Sequence, residues 1–112
     1  MFDPKTAKYR QGDVLIIAIS EIPTTATAMP RQKAYGVVLA EGEATGHRHR
    51  IPSRHATMYR SESDARYLRV MGPAPVALRH EEHTTVKIPP GSYQVIIHHE
   101  YQPGAVPRRV ED

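Results

Sequence analysis

At 112 residues, with 39% hydrophobic and 24% charged residues, the chain is sized for one cored domain and lies outside the low-hydrophobicity regime of disorder. It has no cysteine, which excludes disulfides, thiolate nucleophiles and thiolate metal ligands together, so a metal would have to be held by nitrogen and oxygen. Fifteen Lys and Arg, mostly arginine, against twelve Asp and Glu give a net charge of +3 and a bias toward anionic partners.

Residues 1–10 read as an N-terminal arm without the apolar segment of a signal peptide. The aliphatic run in GDVLIIAI, 12–19, is far short of the roughly 20 residues a membrane span needs and predicts a strand buried on both faces. A cytoplasmic protein without membrane contact is the default expectation. IPTTATAMPRQKAYG, 22–36, has two prolines and reads as a long crossing loop of the kind that faces a ligand or partner. GVVLAEGE, 36–43, and TGHRHRI, 45–51, are the next strands, separated by a glycine-assisted bend.

ATMYR and ARYLRVM flank the polar turn SESD, which predicts a hairpin. GPAP, 72–75, is a second turn, followed by VALRH and then HEEHTTVKI. PPG, 89–91, resets the chain for the strongest β segment, SYQVIIHHEY, 92–101. Residues 102–112, with two prolines, predict an extended tail whose Arg108 and Arg109 lie near a ligand or a dimer interface. The whole reads as one all-β domain, a small barrel or sandwich of about seven short strands with few or no helices. Exposed sheet edges in so small a fold make a homodimer the expected assembly.

Six of the seven histidines fall in three strand-borne groups. Strand alternation puts His47, His49 and Ile51 on one face and Arg48 and Arg50 on the other. Val76, Leu78, His80 and Glu82 share a face in the same way, and His83 joins it only if the chain turns around Glu81. His98 and His99 point to opposite faces, so at most one belongs to a shared site. His55 reads as loop surface.

Two chemistries fit this inventory. The first is a metal-independent phosphodiesterase acting on RNA or a cyclic oligonucleotide, with His47, His49, His80 and His83 as general acids and bases and no cofactor. Arg48, Arg50, Arg79 and Lys87 would stabilise the developing phosphoryl charge, and Thr45 and Gly46 would shape the substrate loop. The second is a metal site made by His47, His49, His80 and Glu82 around zinc, iron or manganese. A non-catalytic module that recognises an anion or nucleotide is a third reading. No Ser-His-Asp arrangement, phosphate-cradling glycine loop or RNA-binding aromatic signature is visible, and one Phe with no Trp argues against a general single-strand binder, while six tyrosines still allow a few bases to be gripped.

The strings GEATGHRH, LRHEEH, IPPGSYQV, HHEY and RRVED together resemble a family of small bacterial and mobile-element-encoded proteins with no established activity. The resemblance implies a single β domain and directs attention to His47, His49, His80, Glu82 and His83. A CRISPR-associated ring nuclease is one form the first reading would take. The H-x-H step also resembles part of the cupin signature, although RIPSR stands where cupins carry a glutamate and SYQ follows PPG where they carry a histidine.

Overall fold

The first hairpin is made by sequence over four residues. In the computed structural model, which describes residues 7–33, 35–42, 46–100 and 108–109, the last pair and residues 99–100 as backbone, Gly12 and Asp13 form a two-residue turn between β1, Lys8–Gln11, and β2, Val14–Ile19. Gly12 takes a positive φ of 57°, which suits such a turn. Residues 8–10, expected in an arm, are therefore strand. Tyr9 meets Tyr93 edge-on at 6.0 Å and Gln11 is buried, so this end of the chain is tied into the fold. Positions 1–6 of that arm lie outside the described residues.

β2, expected to be buried on both faces, buries only Val14 and Ile16 and leaves Leu15 and Ile17 half-exposed on the other face; it pairs with β10, Gly91–Ile97, which pairs on its other side with β7, Arg66–Val70. The SESD turn joins β7 to β6, Ala56–Arg60, in the expected hairpin, and β3, Thr27–Ala28, completes a six-stranded antiparallel sheet in the order β1-β2-β10-β7-β6-β3. The 22–36 stretch is thus not a plain loop: it lends two residues to the sheet edge and closes on itself through a Gln32 to Gly36 bridge.

The opposing layer is built from β4, Val37–Glu41, β5, Arg48–Ile51, β8, Val76–Leu78, and β9, Val86–Ile88. β4 pairs with β5, β8 with β9, and the two hairpins are stitched by reciprocal backbone hydrogen bonds between Arg50 and Arg79. A bulge between Val38 and Ala40 lets both Leu39 and Ala40 turn inward, which strict alternation forbids. Gly36 has a φ of 78°, and a Cβ there would stand 2.5 Å from the Ile51 carbonyl oxygen, so only glycine lets β4 lie this close to the end of β5.

Val14, Ile16 and Leu68 from the first layer pack with Leu39, Ile51, Leu78 and Ile88 from the second, each of them shut off from solvent. Burial of each such side chain contributes about 2 kcal/mol, and this interlayer core is what fixes the loops at its ends. The fold is all-β, a small sandwich with no helix among the described residues, and consequently none long and apolar enough to cross a membrane. Among the described residues the expected short strands number twelve, because several pairings are only two or three residues long. One of them is β11, His99–Glu100, paired with β12, Arg108–Arg109, so the tail returns as a strand where an unpaired arm is expected; 101–107 and 110–112 lie outside the described residues.

Candidate metal centre

β8 ends at Leu78 and the chain bends over residues 81–83. That bend is the condition on which His83 could join His80, and it brings their ring centroids to 4.6 Å. β5 runs alongside, and His49 within it and His47 just before it come to the same place. The His49 ring lies 4.3 Å from that of His80 and 5.8 Å from that of His83, and the His47 ring meets His80 edge-on at 5.6 Å. Four imidazoles from two distant segments therefore form one cluster.

The inner part is braced by the β1–β2 hairpin. Gln11 Nε2 donates to the carbonyls of Leu78, at 2.8 Å, and Thr84, at 3.0 Å, which lie at the two ends of the turn carrying His80, Glu81 and His83. Two carbonyl acceptors leave the amide no alternative orientation, so its Oε1 faces His49 Nδ1 at 2.9 Å and that nitrogen carries the hydrogen. The other ring nitrogen, Nε2, lies 3.4 Å from Asp13 Oδ1, and both side chains are shut away from water. Asp13 thus sets a carboxyl oxygen at the Nε2 edge of a buried imidazole.

The outer part opens to solvent. His47 Nδ1 lies 3.6 Å from Glu82 Oε2. Glu81 accepts the backbone N–H of Arg48 at 2.9 Å. That hydrogen bond, with the His47 and His80 rings adding to it, holds the Glu81 carboxyl below the usual carboxylate range. Glu81 is therefore an anion at neutral pH. One ligand atom each from His47, His80 and Glu81 lie within 4.8 Å of one another, on side chains graded from buried His80 through half-buried His47 to exposed Glu81. His80 Nδ1 also accepts the Glu82 amide at 3.0 Å.

The carboxylate grouped with the two imidazoles is Glu81, where alternation selects Glu82; β8 stops before the bend, so the two-residue period no longer applies there. His49 belongs to the cluster but has its nitrogens turned to Gln11 and Asp13. The cations lie elsewhere. Arg48 stacks on the Tyr35 ring at 4.1 Å, pairs with Glu41 at 3.4 Å and donates to the Gly46 carbonyl, while Arg50 lies 6.0 Å from the same ring. Arg79, bridged to Arg50, is exposed, as is Lys87, whose register partner is Ala77. Gly46 has a φ of 72° with open space where a Cβ would be, so its role is backbone conformation and not close approach. Thr45 lies outside the described residues.

His98 is exposed with Nε2 3.5 Å from an Arg10 nitrogen, and His55 is exposed on a loop; neither belongs to the cluster. Gln11 and Asp13 are contributors that sequence reasoning missed. The signal available was QGD directly ahead of a fully aliphatic strand, a polar triplet at a position where a hairpin turn buries it.

The model of one family, described as a domain of unknown function (DUF8820), matches residues 10–98, a span that contains every member of the cluster and its brace. No curated protein and no solved structure matches the chain, so the cupin and ring-nuclease likenesses have no counterpart there.

Proposed function

We propose that this chain, which belongs to the DUF8820 family, binds one divalent transition ion through His47, His80 and Glu81 and uses the solvent-facing side of that ion for hydrolytic chemistry. The supporting observation is the convergence of the three ligand atoms within 4.8 Å. Ligands about 2.1 Å from a tetrahedral ion stand roughly 3.4 Å apart, so closure asks for about an ångström of side-chain movement. Two of the three side chains, His47 and Glu81, reach solvent.

Two imidazoles and a carboxylate suit zinc with an open position, and equally iron(II) in a facial arrangement. When bound, such an ion supplies Lewis acidity to a polar bond of the substrate. The residues around it have distinct tasks. Arg48 holds Glu81 by its backbone N–H and keeps it ionised; Glu82 faces His47 Nδ1 and orients that ring; Gln11 ties both ends of the His80 turn. An ion reaches His80 either through Nδ1, displacing the Glu82 amide, or through Nε2, displacing the hydrogen that the Nδ1 contact assigns to it.

The metal-independent phosphodiesterase reading draws on the same imidazoles. Against it, Glu81, Glu82 and Asp13 put three carboxylates around the cluster, where the oxygens of a phosphodiester need cations. Arg48 is committed to Tyr35 and Glu41. The electrostatics therefore favour a cation at the site over an anion.

Elemental analysis of the purified protein after dialysis tests the proposal. The expected result is about one zinc or iron per chain, lost in a His47→Ala, Glu81→Ala double variant that keeps the wild-type circular dichroism spectrum. Wild-type protein that retains no ion after incubation with either metal, or a double variant that retains a full equivalent, overturns it.

A further inference from the structure

The six-stranded sheet turns one face to the core, and its other face carries an unusual composition. By register and alternation, the outward positions include Lys8 and Arg10 on β1, Tyr59 on β6, and Tyr67 and Arg69 on β7. No outward position of these six strands is Asp or Glu. Tyr59 and Tyr67 are direct cross-strand partners, both half-buried and not shut into the core, and the Arg69 guanidinium lies 5.8 Å from the Tyr59 ring. Leu15, Ile17 and Ile96 continue the face as a half-exposed aliphatic strip beside the tyrosines.

We infer that this face is a docking surface for single-stranded nucleic acid, independent of the histidine cluster. Aromatic rings displayed on a sheet accept unstacked bases, cations around them track the phosphates, and an aliphatic strip covers the remaining base edges and sugars. The competing occupant is a second copy of the chain. A two-fold interface through this face gathers two copies each of Lys8, Arg10 and Arg69 into one patch with no carboxylate on the strands to answer them. A polyanion removes that conflict and a second copy creates it.

Fluorescence anisotropy with labelled mixed-sequence RNA and DNA strands of about 12 nucleotides, their duplexes, and anionic phospholipid vesicles as competitors tests the inference. Single strands bind and duplexes bind more weakly. Three cations give a slope near −2 for log affinity against log salt. The Tyr59→Ala, Tyr67→Ala variant loses about tenfold or more, the corresponding Phe variant keeps wild-type affinity, and His47→Ala binds as wild type does. Four results overturn it: no binding of either strand; unchanged binding in the double Ala variant; vesicles bound while oligonucleotides are not; or light scattering that shows a dimer which Tyr59→Ala dissociates.

Discussion

His49 is fully buried, braced by Gln11 and set against Asp13, whereas His47, two residues earlier on the same strand face, is half-buried and looks out toward Glu82. The two rings share a periodicity and a neighbour, since each packs on His80. What separates them is the source of their partners. The partners of His49 come from the β1–β2 hairpin, inside the sandwich, and the partners of His47 come from the exposed bend after β8. The inner half is thus part of the folding unit and the outer half is available to a ligand. Gln11 links the hairpin to the bend, through the Leu78 and Thr84 carbonyls and His49 Nδ1.

The largest expected effect separates the two halves by stability. His49→Ala removes the hydrogen bond to Gln11 Oε1 and leaves the buried Asp13 carboxylate facing a cavity, at a cost of about 3 kcal/mol. Urea denaturation reads this as a lower midpoint at unchanged slope. An unfolding midpoint equal to the wild type would remove the distinction between inner and outer rings. His47→Ala sharpens the comparison from the other side. It should weaken zinc or iron binding by more than the roughly 100-fold that loss of an outer-shell partner costs, measured by competition with a chelator, while stability without metal shifts by less than about 1 kcal/mol.

Much of this arrangement is legible in the sequence, for reasons that mark where legibility ends. The SESD hairpin is readable because its turn residues and the strand segments that flank it, each with a tyrosine, are local. His47, His49 and Ile51 are readable as one face because β5 obeys the two-residue period, and His83 is readable as conditional because one bend decides it. Glu81 is not readable in this way: the bend that admits His83 also ends the alternation that selects Glu82. Gln11 and Asp13 escape for a different reason, since their partners lie more than 30 residues away and only the stacking of two layers brings them together. The tyrosines of the outer sheet face fall between these cases. Each is visible as a strand residue, but that Tyr59 and Tyr67 are partners depends on the register of β6 against β7.

A buried polar group far from the cluster supplies the smallest test. The Tyr93 hydroxyl, on a side chain only 4% exposed, donates to the Pro89 carbonyl at 2.5 Å. Burial, with the charge of Tyr9 adding to it, pushes its pKa up to about 12 from an ordinary value of 10. Because the folded value lies above the unfolded one, the stability this neutral phenol contributes is fully present below pH 10 and is lost as the pH rises through 12. By pH 11 the loss is about 1 kcal/mol. Tyr93→Phe has nothing to ionise at that position, so the difference between wild type and variant in urea should shrink between pH 9 and pH 11. His47→Ala should follow the wild type over the same interval, because it keeps the Tyr93 phenol and its surroundings. If it followed Tyr93→Phe instead, the half-buried histidine would be coupled to the sheet, and the separation of a folding half from a ligand half would fail at its solvent-facing end.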